Sequence, residues 1–181
     1  MRVLIAAIAC WGIGCAGAAS NVPATDFRGS DVALFDNSVD LVAAPVIVEG
    51  EWGAFERRVV RADLVASIRV QSLHSELIRH RSAYRLTVKV KDRLKGESTR
   101  ELELRVTDEE PGHRSVELDE DRLLSDSFIA FVKWEADPES SGLVAHWHLS
   151  PDSEAVRDKI GYVLRRPAPD PHTEVEVVGP R

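Results

Sequence analysis

Two histidines separated by one residue, His146 and His148, are the pair whose types and spacing could most directly do chemistry. On a strand both imidazoles would leave the same face, with Trp147 on the other. Two such rings can share one metal ion, although a site needs a third ligand. The same residues have a plainer reading: Leu143, Ala145, Trp147 and Leu149 form a core face and both histidines stay in water. That reading is the expectation, and a metal-binding protein or metal-dependent enzyme using His146 and His148 is the alternative. The segment His74-Ser75-Glu76-Leu77-Ile78-Arg79-His80 does not supply a zinc-protease helix. Its histidines are six apart and Glu76 is not adjacent to His74, so the rings do not stack as H-E-x-x-H requires, and a polar hairpin loop is expected. Asp119-Glu120-Asp121 lacks the glycine and the closing glutamate of a calcium loop and reads as a solvated acidic turn. No G-x-S-x-G elbow or P-loop occurs. The sequence implies no catalytic set and no cofactor.

The two cysteines, Cys10 and Cys15, both lie in the N-terminal apolar stretch. Arg2 supplies a positive charge, residues 3–8 are continuously apolar, and residues 10–19 are rich in Gly and Ala. This is the plan of a signal peptide over residues 1–19. The strongly apolar run is shorter than the ~20 residues a membrane-crossing helix needs. Gly12-Ile13-Gly14-Cys15 resembles the lipobox of bacterial lipoproteins, with Gly12 where leucine is usual, which makes Cys15 the expected lipid attachment site. Ala16-Gly17-Ala18 offers a competing site for ordinary signal peptidase. Acylation at ~0.8 kcal/mol per buried methylene would hold the protein on a membrane, and Ala16 would suit the outer one. The run Gly12-Ile13-Gly14-Cys15-Ala16-Gly17 also fits G-x-G-x-x-G, but Pro23 follows where the fingerprint needs an amphipathic helix, so a dinucleotide site is rejected.

Elements follow from the spacing of apolar residues. Residues 20–30 read as a tether, residues 31–166 as a single β-rich domain, and residues 167–181, with four prolines, as a disordered tail. Residues 46–48 and 57–61 suggest a hairpin or edge strands around Gly50-Glu51-Trp52-Gly53. In residues 64–71, Leu64, Ala66, Ile68 and Val70 share a face. In residues 84–91, Tyr84, Leu86, Val88 and Val90 alternate with Arg85, Thr87, Lys89 and Lys91. Leu102, Leu104 and Val106 repeat the pattern, so an antiparallel sheet with one wet face is expected. Lys89 and Lys91 would meet Glu101 and Glu103 across the strands. Residues 119–125 allow one helical turn, and residues 128–134, apolar on both faces, make the most buried strand. After a turn at residues 137–142 comes the strand 143–149. Ser150 is expected to cap a helix with Pro151 at its first position and Val156, Ile160, Val163 and Leu164 as its buried stripe.

This order matches a small OB-like antiparallel barrel with a C-terminal α-helix. Residues 84–90 running into Leu94-Lys95-Gly96, then residues 128–134, then Trp147-His148-Leu149-Ser150 opening a helix with Tyr162, resemble the netrin-module and metalloproteinase-inhibitor (TIMP-like) OB folds. Similar segments recur in uncharacterised exported bacterial lipoproteins. The resemblance covers roughly residues 63–166 and implies that fold. It raises protease inhibition as a further alternative, without the family's mechanism, because a disulfide-bonded N-terminal cysteine chelates the target's zinc there and Cys15 has no partner here.

The chain has 181 residues, 44% hydrophobic and 29% charged, which suffices for one self-sufficient core. Its net charge of −7 argues against nucleic acid, which needs clustered Lys and Arg. The expectation is a non-catalytic exported envelope protein: an outer-membrane lipoprotein, or a periplasmic or extracellular protein. Its barrel would bind a protein, glycan or small ligand, and it would meet the membrane through lipid on Cys15.

Overall fold

The computed structural model describes residues 27–41, 52–78, 80–97, 99–137 and 142–166. The leader with Cys15, the strand expected at residues 46–48 and the tail 167–181 lie outside the described residues.

Eleven elements are seen among the described residues: α1 (Gly29–Val32), β1 (Ser38–Val39), α2 (Ala54–Arg61), β2 (Leu64–Ile78), β3 (Arg81–Lys95), β4 (Glu101–Thr107), α3 (Gly112–Leu118), α4 (Glu120–Ser125), β5 (Ser127–Ala136), β6 (Leu143–Pro151) and α5 (Glu154–Arg165). The protein is mostly β. One six-stranded sheet runs β1-β6-β5-β2-β3-β4, antiparallel except where β1 lies parallel to β6.

The strands form where period-2 alternation lets one side bury. Leu86 and Val88 of β3 and Leu102, Leu104 and Val106 of β4 are all buried, and Leu86 faces Leu104 directly in the register. In β2 the alternation continues beyond residue 71 after a change of phase. Val70 pairs with Val88 and Ser72 with Thr87, so an irregularity at Gln71 transfers the inward set from Leu64, Ala66, Ile68 and Val70 to Leu73. A bulge adds a residue to one strand and so reverses which parity faces the core. His74 therefore lies in a strand and not in a loop. His80 sits at the hairpin end with φ of 70°.

The barrel expected from the sequence is not closed. The sheet coils until its ends approach, and the buried Trp147 on β6 donates its indole Nε1–H to the Arg105 carbonyl of β4 at 2.9 Å. Among the described residues no strand ladder joins β4 to β6 or β1. Closure needs two edges that can pair along their lengths, and β1, only two residues long, cannot offer one. Helix α3 docks beside β1 instead: the Val39 N–H donates to Ser115 Oγ at 3.3 Å, and Gly112 presses on Asn37 so closely that a Cβ there would lie 1.6 Å from the Asn37 carbonyl oxygen.

The single wet face is found in only half of the sheet. Inside the coil lies one apolar cluster, with Ile68, Leu104, Phe128, Trp147 and Leu149 at its centre and Val116 and Leu123 closing it from α3 and α4. On the opposite face of β2 and β5 a second cluster joins Val65, Ile129 and Phe131 to Phe55 and Val59 of α2 and Val156, Ile160 and Val163 of α5. Strand β5 is buried on both sides, as its doubly apolar sequence requires.

Two local expectations change. Residues 57–61 belong to helix α2, not to a strand, because Phe55, Val59 and Ala62 at i, i+4 and i+7 form one buried stripe that meets Phe131 edge-on at 5.8 Å. Helix α5 is capped by Ser153, whose Oγ accepts from the Val156 N–H at 3.3 Å, while Ser150 and Pro151 finish β6. Val156, Ile160 and Val163 are buried as expected, but Leu164 is exposed.

Lys95 at the end of β3 fastens α2 down. Its ammonium donates to the carbonyls of Val59, Val60 and Ala62 at 3.0, 2.5 and 2.6 Å, taking up acceptors the last helical turn cannot satisfy itself.

Candidate functional site

His146 and His148 leave β6 on the face away from Trp147, and the structure separates their roles. His146 is half-buried, stacks on Phe27 with ring centroids 4.4 Å apart, and places Nε2 2.8 Å from Glu135 Oε2. His148 is buried, which corrects the expectation that both rings would be exposed. The reason is tertiary: β1 adds an edge beside β6, setting Ser38 opposite His148, and the chain from α1 to β1 together with α2 covers that face.

The buried ring has a defined set of partners. His148 Nδ1 lies 3.1 Å from Asp36 Oδ1 and 3.1 Å from Ser38 Oγ, and Ser38 donates to Asp36 Oδ1 at 2.6 Å. An ionised carboxylate only accepts, so Nδ1 carries the proton and Nε2 keeps its lone pair. Burial works to raise the Asp36 carboxyl, but the bonds from His148 and Ser38 prevail and hold it below its ordinary value. Burial also pulls His148 down, with the nearby Arg58 charge adding to it against the pull of Asp36, so the ring is neutral near pH 7. Nε2 is buried without a hydrogen-bond partner. A buried acceptor left unsatisfied costs about 1–3 kcal/mol and calls for an explanation.

A cleft of about 250 Å³ opens at this ring, between β6, α2 and α5. Asp40, Arg58 and Ser150 contribute its polar groups, and Phe55 and Val156 its apolar wall. Arg58 is fixed by its Nε–H donating to the Leu34 carbonyl at 2.6 Å, and its guanidinium lies 5.9 Å from the Phe131 ring centre. Burial lowers its pKa, and Asp36 and Asp40 oppose that by attraction. The cleft is thus lined by the Arg58 guanidinium, the His148 imidazole, the Asp40 carboxylate and the Ser150 hydroxyl.

Asp36, Ser38 and His148 do not make a nucleophilic triad. Such a triad puts the carboxylate on one imidazole nitrogen and the serine on the other, whereas here both partners share Nδ1. Among the described residues no group of three or more His, Cys, Asp and Glu side chains could hold a metal ion. His74 and His80 are exposed and apart from this cluster, and Asp119, Glu120 and Asp121 sit at the start of α4. Cys15 lies outside the described residues. Sequence reasoning finds His148 but misses Asp36, Ser38, Asp40 and Arg58, since no local motif joins residues as much as 112 positions apart.

Compared with known proteins, the chain matches no family model and no curated sequence.

Proposed function

We propose that this chain is a non-catalytic binding protein of the bacterial envelope, exported by its N-terminal signal and anchored by lipid on Cys15. Its β domain takes a small ligand in the cleft at His148. The observation that carries the binding reading is the cleft of about 250 Å³ lined by Asp40, Phe55, Arg58 and the buried His148. Export is supported by the charged, apolar and small-residue succession of residues 1–19 and by the cysteine at 15. The β domain is read as an opened relative of the OB-like fold, supported by the order of strands β2 to β6 and helix α5.

Mass spectrometry of the mature protein tests the address: the expected first residue is an acylated Cys15. Recovery from the cytosol with Met1 or Arg2 in place ends the export reading. Turnover of any substrate in a broad hydrolase panel, abolished by His148→Gln, ends the non-catalytic reading.

A further inference from the structure

Strand β2 outruns one of its neighbours. It pairs with β5 only from Leu64 to Arg69, while β3 accompanies it to Ile78. Among the described residues no strand lies on the other edge of residues 70–78. Helix α4 packs against β2 and turns Leu123 into the inner cluster, but among the described residues no backbone hydrogen bond ties it or a loop to residues 72–78. The Ser82 carbonyl accepts from the Asp108 N–H at 3.0 Å, so Ser82 faces away from β2, and Leu77 opposite it faces away from β3. The register runs unbroken from Ser72 to Ile78, so Ser75 and Leu73 also turn their N–H and C=O groups outward. Such an edge is a template for another strand, and proteins usually guard it with proline, lysine or a bulge. Leu73-His74-Ser75-Glu76-Leu77 contains none of these, and Leu77 is 73% exposed.

The order of these residues selects the strand that fits. Reversed about Ser75, apolar meets apolar and imidazole meets carboxylate, which is the operation an antiparallel two-fold axis performs. We propose that a second copy of this chain pairs with this edge, antiparallel and centred on Ser75, joining two sheets into one. Leu73 lies opposite Leu77 of the second copy on the apolar side, His74 opposite its Glu76 on the wet side, and Ser75 opposite itself. The outward-turned pairs are the ones that exchange hydrogen bonds in this register, so backbone and side chains agree. Glu76 can accept from the incoming imidazole: Arg85 and Arg105 stand 3.6 and 3.7 Å from its oxygens, beyond hydrogen-bond distance, and its Oε2 is not closed off. A single strand pairing is smaller than the ~1,200 Å² of stable interfaces, so the dimer is weak and concentration-dependent. None of these residues lines the His148 cleft, and the pairing stands or falls independently of the binding and export readings.

Sedimentation equilibrium of the purified chain tests this, with Cys10→Ser and Cys15→Ser in place so that no native thiol or lipid intervenes. The expected result is a monomer–dimer equilibrium at concentrations up to about 1 mM. Leu77→Lys should leave only monomer with the urea midpoint unchanged, because Leu77 is exposed in the single chain. His74→Glu sets like charges opposite each other twice per dimer and should weaken it about tenfold, whereas His74→Gln, which still donates to Glu76, should hold it within about threefold. Ser75→Cys places a thiol opposite its own copy at the ~5.5 Å Cα separation of a hydrogen-bonded pair, within disulfide reach, so mild oxidation should link the dimer. His74→Cys, also exposed but displaced along the strand, should not link. A monomer throughout, a dimer indifferent to Leu77→Lys and His74→Glu, or linking through His74→Cys as fast as through Ser75→Cys overturns the inference.

Discussion

Strand β5 lies between two apolar layers, while β3 and β4 have one apolar face and one in water, and charge behaves differently in the two regions. On the wet face Arg85 and Arg105 share Glu76 and Glu103 at 2.7 to 3.7 Å, with all four side chains partly exposed. Between the layers Lys133, 4% exposed at its side chain, meets Asp63 at 2.9 Å, and the other carboxylate oxygen of Asp63 accepts from the Trp134 N–H at 2.9 Å. The first arrangement can be rebuilt by water and gains little. The second cannot, because removing one partner leaves an uncompensated charge away from solvent.

The sharpest way to break this contrast is to cut the contact that brings the two regions together. Trp147→Ala removes the largest buried side chain and its bond to Arg105, and should cost about 4 kcal/mol in urea unfolding. Lys133→Ala, which strands Asp63, should cost about 3 kcal/mol by the same measurement. Glu103→Gln on the wet face should cost less than about 1 kcal/mol and lose even that at high salt. An outer-face loss equal to that of Lys133→Ala would erase the distinction between the regions.

Acid sharpens it further. Asp152 joins α5 to the sheet: Arg157 donates to its two oxygens at 2.6 and 2.8 Å, and Ser67 donates at 2.6 Å. The Arg157 bonds hold its carboxyl below the ordinary value, burial opposing them. A carboxyl whose pKa is depressed on folding contributes stability that is present above its unfolded value of about 3.9 and lost as pH falls through the folded one. Asp152→Asn should therefore lower stability at neutral pH and flatten its decline below about pH 4, read from urea midpoints across pH.

Much of the wet region was legible in the sequence. Alternation in β3 and β4 gives their inward residues directly, and the doubly apolar β5 announces its burial. The rest of the covered region was not. Val59 and Val60, both β-branched, suggest a strand at residues 57–61, and only the cover that Phe131 and α5 provide makes the helical stripe of Phe55 and Val59 worth burying. The continuation of β2 was hidden because the phase change at Gln71 breaks the period that reveals strands. His148 seemed destined for solvent because β6 alternates cleanly, and nothing local shows that β1 and α2 lie over its polar face. Barrel closure failed for a reason equally remote from local pattern, the brevity of β1.

The three carbonyls gathered by Lys95 have a consequence for how this architecture can be divided. The helix that carries Arg58 is held down by a residue from the neighbouring hairpin, so the cleft wall and the sheet are not separable modules. A shortened derivative that discards the β3–β4 ribbon would also release the wall of the cleft at His148, and grafting that cleft onto another host would require transplanting the distant lysine with it.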